Sequence, residues 1–336
     1  MSAQQTRVAL ARFPDGVPTV DDFELTTGPT PALAPGHLLV RNRYLSLDPF
    51  LRGVISGRQI YATRVEPGDT MPGNTVAEII ESGAPGFEPG DHVVCDGGWQ
   101  QVALVPAATA RKVPSDADLL GLRIGILGMP GLTAYAGLTR LGEPRPGDTV
   151  VVSAASGPVG SMVGQIARLH GCRAVGIAGS EEKCRWVVEQ AGFDACINYK
   201  TENLAEALGT QCPDGIDVYF DNVGADTLAA VLTRLALGAR IVLCGLITQY
   251  NTSTPPPGPN LGPVIGARAT MRGLVVYDHY DLWDHFATVA APWVRDGRIQ
   301  YRETRNDGLA AAPEAFCRLM RGENFGKELV VIEDGA

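Results

Sequence analysis

Residues 150–160 constrain the fold of this chain more than any other segment. The run Val150-Val151-Val152 is typical of a buried strand, and the turn after it has Ala155, Gly157 and Gly160 at the spacing G-x-G-x-x-G. A helix pattern begins directly after the turn. In such a unit Gly157 lets the backbone approach a pyrophosphate, and Gly160 lets the helix pack closely on the strand. The segment predicts a dinucleotide-binding turn, with a purely structural β–α turn as the alternative.

Strand-like runs alternate with helix-length amphipathic segments in the same part of the chain. The strand-like runs cover residues 149–153, 173–177, 195–198, 217–220, 240–244 and 270–276. The helical segments cover residues 159–170, 181–191, 204–208, 226–235 and 281–296. This alternation predicts βαβ units and therefore a doubly wound parallel sheet of the Rossmann type.

The N-terminal part of the chain has a different pattern. Residues 1–125 carry short β-type runs, among them 38–42, 75–80 and 92–95, separated by turns that contain Gly and Pro. Many short strands joined by tight turns predict a barrel-like β domain. One more helix (309–320) and one more strand (328–332) follow at the other end of the chain, and we expect them to rejoin this domain.

Composition and charge exclude several classes of function. The chain has 336 residues, 45% of them apolar, a formal net charge of −9 and a pI of about 5.1. A binder of nucleic acid or of a membrane surface needs a dominant basic field, so we expect neither. The seven cysteines are scattered without a C-x-x-C pair, and residues 1–10 lack the apolar stretch of a secretory signal. We expect free thiols, a cytoplasmic location and no membrane span.

The end of the second strand of the predicted sheet indicates which dinucleotide binds. NAD-binding units place an acid there, about 20 residues after the glycine turn, to accept hydrogen bonds from the ribose 2′-hydroxyl. Here the strand ends at Ala178-Gly179-Ser180 without an acid, and Lys183 and Arg185 follow. Cations without a carboxylate favour a 2′-phosphate. The pattern therefore favours NADP(H), with a solvated helix face as the alternative for the two cations.

The sequence lacks the spacing of a catalytic metal site. Catalytic zinc needs about three Cys, His or carboxylate ligands that converge. The five histidines form no H-x-x-x-H pair and no Cys–His pair at ligand spacing. A G-x-S-x-G elbow is also missing, which argues against a serine hydrolase. We therefore expect no metal.

Eight motifs along the chain carry a family resemblance. They are Leu45-Ser46-Leu47-Asp48-Pro49-Phe50-Leu51-Arg52-Gly53, Gly128-Met129-Pro130-Gly131-Leu132-Thr133-Ala134-Tyr135, the glycine turn, Gly179-Ser180-Glu181-Glu182-Lys183, Asn198-Tyr199-Lys200, Phe220-Asp221-Asn222-Val223-Gly224, Gln249-Tyr250-Asn251 and Asn324-Phe325-Gly326-Lys327. The chain resembles the zinc-independent medium-chain dehydrogenases/reductases, in the branch of prostaglandin and leukotriene B4 reductases, plant double-bond reductases and bacterial curcumin reductases. Ser46 and Asn74 stand where zinc-dependent relatives have a catalytic cysteine and a Gly-His-Glu ligand motif. The chain departs from several relatives at Thr248 and Ala225, which replace Ser and Gly.

The resemblance implies an α/β fold class and a division of the chain. A GroES-like, β-barrel-type catalytic domain is expected at residues 1–125 and a doubly wound parallel Rossmann domain, which binds NADPH, at residues 126–296. Residues 297–336 are expected to return to the catalytic domain. The resemblance also implies a homodimer.

The resemblance further implies which residues hold the cofactor. Gly157, Pro158, Val159 and Gly160 would hold the pyrophosphate. Lys183 and Tyr199 would contact the 2′-phosphate, and Asn222 would lie near the ribose. The nicotinamide side would be lined by Cys244, Gly245, Leu246, Ile247, Thr248, Gln249 and Tyr250 and by the backbone of Leu274, Val275 and Val276. Asn324 would reach the cofactor from the C-terminal segment.

The implied reaction is an NADPH-dependent reduction of the C=C bond of α,β-unsaturated ketones and aldehydes. Hydride would go to the β-carbon and a proton to the α-carbon. Tyr250 is the candidate catalytic residue, as a donor to the carbonyl or enolate oxygen, with a role as a wall of the pocket as its alternative. An NADPH:quinone oxidoreductase and a non-catalytic NADPH-binding sensor stay open as alternative functions.

Overall fold

The structure is a computed structural model that describes residues 4–58, 64–252, 254 and 256–332. The chain forms two compact units: Met1–Gly125 with Glu303–Ala336, and Ile126–Arg302. We call them the first unit and the second unit. The ends of the predicted segments 1–125 and 297–336, at residues 1–3 and 333–336, lie outside the described residues.

The described residues contain both strands and helices. The strands are β1 (Gln4–Leu10), β2 (Phe23–Pro29), β3 (His37–Ser46), β4 (Thr75–Ser82), β5 (His92–Cys95), β6 (Val102–Pro106), β7 (Arg111–Val113), β8 (Thr149–Ser153), β9 (Arg173–Ala178), β10 (Ala195–Asn198), β11 (Ile216–Asp221), β12 (Leu235–Leu243), β13 (Thr270–Gly273), β14 (Glu303–Asp307) and β15 (Lys327–Val331). The α-helices are α1 (Leu51–Val54), α2 (Met129–Ala136), α3 (Pro158–Leu169), α4 (Glu181–Glu189), α5 (Leu204–Gln211), α6 (Ala225–Leu232), α7 (Ile247–Tyr250), α8 (Gly262–Ala267), α9 (Trp283–Arg295) and α10 (Ala312–Met320). A π-helical segment, Gly137–Gly142, continues α2.

A largely antiparallel sheet organises the first unit. Among the described strands its order is β14-β15-β3-β4-β5-β7, and β6 also pairs with β3. Alternate residues of β3 and β4, such as Leu38, Val40 and Ala77, lie in one buried apolar cluster, as the two-residue repeat of a strand requires. Leu329 of β15 pairs with Ser46 of β3, so the C-terminal segment extends the sheet that the N-terminal segment forms.

A parallel sheet organises the second unit. Its described strands lie in the order β10-β9-β8-β11-β12-β13, and each neighbouring pair is parallel. Counted along the chain this is the order 3-2-1-4-5-6, which reverses between β8 and β11. On one face, Leu208 of α5 and Leu228 of α6 pack with Val151 and Ile177. On the other face, α4 approaches Gly176 through Val187, so helices cover both faces.

Two strands of the second unit, β12 and β13, differ from the prediction by more than two residues at one end. The strand predicted at residues 270–276 ends at Gly273, because its neighbour β12 ends at Leu243 and offers no further ladder partners. A 3₁₀ helix, Val276–Leu282, follows. The helix predicted to continue to residue 235 ends at Leu232, and β12 already begins at Leu235. The apolar residues around the boundary fit both the 3.6-residue period of a helix and the two-residue period of a strand, so periodicity alone does not show where the helix ends.

The packing of α3 generates the first prediction. A Cβ atom at Gly164 of α3 would collide with the ring of Phe193, so the helix sits closer to this ring than any other residue allows. Gly164→Ala should lower the free energy of unfolding by about 1–3 kcal/mol because it overpacks the contact. The matched control is Gly209→Ala in α5, where a Cβ meets no atom within 4 Å. This control should stabilise by about 0.5–1 kcal/mol through helix propensity. Urea unfolding measures both; equal effects of the two variants would contradict the packing argument.

Candidate functional site

The glycine turn lies between β8 and α3, at the carboxyl edge of the parallel sheet. Gly157 adopts an extended conformation (φ −81°, ψ 170°) at the N-cap of α3 and donates its N–H to the Ala154 carbonyl at 2.9 Å. A Cβ at Gly160 would collide with the Ala154 carbonyl and lie 3.0 Å from the Ala155 Cα. Gly160 is therefore needed for the backbone to turn this tightly, whereas Gly157 has a conformation that other residues also adopt. The N-cap residue Gly157 makes no side-chain hydrogen bond to α3, so it offers no side-chain acceptor to the first N–H groups of the helix.

A buried carboxylate joins the two strands at which the sheet order reverses. Asp221 ends β11 and is fully buried. Its Oδ1 accepts hydrogen bonds from the Ser153 hydroxyl at 3.1 Å, the Tyr219 hydroxyl at 2.8 Å, and the Val223 and Gly224 amides at 3.0 and 2.9 Å. Burial, together with the charge of Asp221, raises the pKa of Tyr219 well above its usual value. The phenol therefore stays protonated and donates to the carboxylate.

Asn222 and the end of β12 are held by the same residues. The Asn222 backbone N–H donates to the Ser153 hydroxyl and its side-chain amide donates to the Ser153 carbonyl, both at 2.8 Å. The Asp221 carbonyl accepts the N–H groups of Cys244 at 2.8 Å and Gly245 at 3.1 Å. Burial and the Asp221 charge raise the pKa of the Cys244 thiol to about 12. The ends of three neighbouring strands are thus tied together around one acid.

Two residues of this network were missed in the sequence. Ser153 and Asp221 were not predicted as site residues, although Asp221 lies in a motif that carried the family resemblance. The sequence did contain a signal for Asp221, because this acid directly follows the apolar residues of β11. A carboxylate is buried at such a strand end only if hydrogen-bond donors surround it.

A second set of residues clusters where β9 and β10 end. A Cβ at Gly179 would lie 3.0 Å from the Tyr199 hydroxyl, so the glycine makes room for the phenol beside the tip of β9. The Ser180 hydroxyl caps α4 by accepting the Lys183 backbone N–H at 3.2 Å. Burial and the nearby charge of Lys200 lower the pKa of Lys183. Lys200 was not predicted. Two cations that repel each other at a helix N-terminus form a site suited to an anion.

Arg185, the other cation considered in the sequence, lies on the outside of α4. Its side chain is exposed to solvent, whereas that of Lys183 is half-buried. The alternative of a solvated helix face therefore describes Arg185, and only Lys183 lies with Tyr199 and Lys200 in the set at the strand ends.

The segment after β12 folds back toward the end of β11. The Thr248 hydroxyl donates to the Val223 carbonyl at 2.7 Å. Tyr250 ends the short helix α7, and its hydroxyl lies 3.2 Å from the position of a Cβ on Gly245. Residues 244–250, with Leu246, Ile247 and Gln249 between these contacts, thus form a compact loop at the carboxyl edge of the sheet.

The backbone after β13 is less available to a ligand than the sequence suggested. Leu274 and Val276 are buried, and Val275 is 38% exposed. The Leu274 N–H donates to the Leu243 carbonyl at 2.9 Å, and its side chain packs against Gly137. The Leu274 N–H therefore already has an acceptor within the protein and is not available to a ligand.

Asn324 belongs to the first unit. Its side-chain amide donates to the Gly326 carbonyl at 3.1 Å and stabilises the turn before β15. Its predicted contact with a cofactor stays a prediction.

The two positions where zinc-dependent relatives have ligands also lie in the first unit. The Ser46 hydroxyl donates to the Asp48 carboxylate, and the Lys327 ammonium donates to the same carboxylate and to the Leu47 carbonyl, both at 2.7 Å. The Asn74 amide donates to Asp96. The described residues contain no group of three or more His, Cys, Asp or Glu side chains arranged to hold a metal ion.

Comparison with known proteins gives the family. The family model described as the N-terminal domain of oxidoreductase matches residues 6–113, and the model described as zinc-binding dehydrogenase matches residues 158–294. The chain is 41% identical to an Escherichia coli NADPH-dependent curcumin reductase, and the match covers 96% of each chain. The chain belongs to the medium-chain dehydrogenases/reductases, in the branch of curcumin reductase and prostaglandin reductase 1. The predicted family and fold class are thereby confirmed.

Further relatives agree in length and fold. A Nicotiana tabacum NADP-dependent 2-alkenal reductase is 40% identical over 97% of each chain. The crystal structure of CurA from Vibrio vulnificus in complex with NADPH is 42% identical, covers 98% of this chain and 100% of its own, and superposes with a TM-score of 0.93. An Escherichia coli quinone oxidoreductase structure at 22% identity and a TM-score of 0.82 shares the fold. Within the described residues no helix has the length and apolar character needed to cross a bilayer.

The Asp221 network generates the second prediction. Asp221→Ala removes the acceptor of four donors and leaves them buried, so it should lower the free energy of unfolding by about 2–4 kcal/mol. Asp226→Ala is the control: this acid is exposed in the first turn of α6, and its loss should cost about 0.3–1 kcal/mol. Urea unfolding followed by circular dichroism measures both. A stable Asp221→Ala protein would show that the carboxylate does not organise the edge.

Proposed function

We propose that this protein reduces the C=C bond of α,β-unsaturated ketones and aldehydes with NADPH. The observation that carries the proposal is the agreement, over nearly the whole chain, with relatives named as curcumin reductase, 2-alkenal reductase and (+)-pulegone reductase. The strand-end geometry of the second unit supports the same cofactor. The first unit is the proposed catalytic domain, and the second unit is the proposed nucleotide-binding domain.

The pyrophosphate is assigned to the turn at Gly157, Pro158, Val159 and Gly160. The fit rests on packing and charge: Gly160 lets the start of α3 lie against the backbone of Ala154 and Ala155, and the α3 N-terminus presents the positive end of the helix dipole to an anion. Asn222 is assigned to the ribose. Its amide is tied to Ser153, which fixes the position of the loop that follows β11.

The 2′-phosphate is assigned to the set formed by Lys183, Tyr199 and the capped start of α4. Lys183 is half-buried and lies near a second cation, so a dianionic phosphate would relieve a repulsion that exists in the free protein. A carboxylate at the tip of β9 would oppose this, and Gly179 has no side chain there. These features support NADPH over NADH.

Tyr250 is assigned as the donor to the substrate oxygen. Its hydroxyl lies next to Gly245, at the end of the strand whose carboxyl edge faces the proposed nicotinamide side. NADPH supplies the hydride when it is bound. The task of the protein is to place a hydrogen-bond donor where negative charge develops on the carbonyl oxygen, because such a donor acts most strongly in the transition state. Residues 274–276 are assigned to positioning on the nicotinamide side.

The reaction is proposed to need no metal. At the positions of the zinc ligands this chain has a hydroxyl, Ser46, and an amide, Asn74, both of which are weak ligands for zinc. The Lys327 ammonium and the Ser46 hydroxyl both donate to the Asp48 carboxylate, so the positive charge of Lys327 would repel a metal cation there. A conjugated carbonyl already spreads the developing charge, so no Lewis acid is required in the protein.

The assembly is proposed to be a homodimer in the cytoplasm. Strand β13 lies at the edge of the parallel sheet, and its residues are largely exposed. At the nearby helix α8, Ile265 is 80% exposed and Leu261, four residues before it, is 53% exposed, and exposed apolar residues that lie together favour an interface. The cysteines are free thiols, which suits a reducing compartment. The acidic net charge of −9 argues against nucleic-acid and membrane partners.

Sedimentation equilibrium tests the proposed homodimer. The mass of a single chain would contradict it.

The experiment that tests the reaction is NADPH consumption with a panel of acceptors. Enones and enals should be turned over, and simple quinones and saturated ketones should react more slowly, because hydride is delivered to the β-carbon of a conjugated carbonyl. Faster turnover of quinones would favour the quinone reductase alternative. NADPH binding without turnover of any acceptor would favour the sensor.

Charge reversal at Lys183 tests the 2′-phosphate assignment. Lys183→Glu should raise the Kd for NADPH about 10–100-fold, the value of one lost charge-assisted contact, and should hardly change the Kd for NADH. Arg185→Glu is the matched control, because it makes the same charge change on the exposed side of α4. Fluorescence titration with both cofactors measures the effects. An equal loss for NADPH and NADH would contradict the assignment.

Removal of one hydroxyl tests Tyr250. Tyr250→Phe should lower kcat about 10–100-fold because one donor to the developing negative charge is lost, while the Kd for NADPH stays near that of the parent. Steady-state kinetics with a soluble enone, combined with NADPH titration, separates the two quantities. Unchanged kcat would leave Tyr250 as a wall of the pocket.

A further inference from the structure

Two cysteines meet between α4 and β10, directly behind the residues assigned to the 2′-phosphate. Cys184 lies in the first turn of α4 and is 7% exposed, and Cys196 is the second residue of β10 and is partly exposed. Their thiols are in hydrogen-bond contact with each other. Both are free thiols in this structure.

The sheet register explains why the two sulfurs meet. Cys196 pairs with Gly176 of β9, whereas its neighbour Ile197 faces the cluster beneath α5 and α6. Cys196 therefore faces the side of the sheet that α4 covers. A Cβ at Gly176 would lie 3.2 Å from the Cys196 sulfur and 3.0 Å from a methyl carbon of Val187. Cys184 lies three residues before Val187 on the same inner face of α4, so it is brought over Cys196.

The environment makes one of the two thiols the more reactive. Cys184 is close to the N-terminus of α4, where the helix dipole favours a thiolate. The hydrogen bond with Cys196 lowers the pKa of Cys184, although burial and the charges of Glu181 and Glu202 act in the opposite direction. Its position in the first turn of α4 assigns Cys184 as the thiol that attacks and Cys196 as the neighbour that resolves it.

We propose that Cys184 and Cys196 form a peroxide-oxidised disulfide site that lowers the affinity of the protein for NADPH. The Cys184 thiolate attacks a peroxide oxygen, the O–O bond breaks, and a sulfenic acid and one water result. The Cys196 sulfur then attacks the Cys184 sulfur, an S–S bond forms and a second water leaves. The two thiols lose two electrons, and hydrogen peroxide is reduced to two waters. A dithiol reductant reverses the change.

The effect on NADPH follows from the sequence positions and rests on the proposed function. A disulfide brings the two sulfurs to about 2.05 Å, closer than a hydrogen bond does. We expect this contraction to draw the first turn of α4 toward β10. Lys183 directly precedes Cys184, and Tyr199 follows three residues after Cys196. Oxidation thus moves two of the groups that contact the 2′-phosphate.

The bond itself is tested by thiol titration and peptide mapping of the full chain. After treatment with hydrogen peroxide, thiols counted in denaturant should fall from seven to five. A non-reducing digest should contain one linked pair, Cys184 with Cys196. Cys184→Ser and Cys196→Ser should each abolish the link. Cys172→Ser, at a buried thiol that donates to the Arg145 carbonyl, should retain it. No link, or a link between other cysteines, overturns the proposal.

The consequence is tested by titrating oxidised and reduced protein with NADPH. Oxidation should raise the Kd about tenfold, equivalent to a weakened charge-assisted contact, and dithiothreitol should restore it. The Cys196→Ser protein should show no change after the same treatment. An unchanged Kd in protein that carries the bond would refute the effect on affinity. Failure of the reduced protein to bind NADPH would instead refute the proposed function, and the peptide map would still decide the disulfide.

Discussion

The carboxyl edge of the second unit depends on one buried charge. Asp221 ends β11 at the point where the strand order reverses, and one of its oxygens accepts four hydrogen bonds. An uncompensated carboxylate in the protein interior would cost several kcal/mol, so these donors are fixed in place with it. Because they come from the end of β8, from β11 itself and from the loop after β11, the acid sets the geometry of all three. The backbone carbonyl of Asp221 also accepts the N–H groups of Cys244 and Gly245, so the start of the loop after β12 is held in the same network.

This arrangement explains how a parallel sheet becomes a nucleotide site. The strand order opens a crevice between β8 and β11, and the glycine turn places the start of α3 beside it. On the other side of β8, the ends of β9 and β10 bring Lys183, Tyr199 and Lys200 to one place. The first set suits a pyrophosphate, and the second suits a monophosphate. A dinucleotide that carries both a pyrophosphate and a monophosphate, as NADPH does, therefore matches both sets of residues along the carboxyl edge of the sheet.

The sequence predicted the parts of this edge that depend on local pattern. The valine run, the glycine spacing and the strand–helix alternation follow from side-chain period and steric demand, and the structure has these elements. Lys183 and Tyr199 were named through a family motif. The end of β13 was predicted wrongly because it depends on where β12 stops, which no pattern within residues 270–276 records. Ser153, Asp221 and Lys200 were missed because their roles arise from neighbours more than 15 residues away or on another strand.

We propose that hydride reaches the β-carbon of a conjugated carbonyl without the help of a metal. The most direct test is a reaction with NADPH deuterated at the transferred position of C4, followed by NMR spectroscopy of the product. We expect a saturated carbonyl compound with deuterium at the β-carbon and an unlabelled α-carbon that has gained a solvent proton, at a rate that chelators do not change. Deuterium at the carbonyl carbon of an allylic alcohol would contradict it.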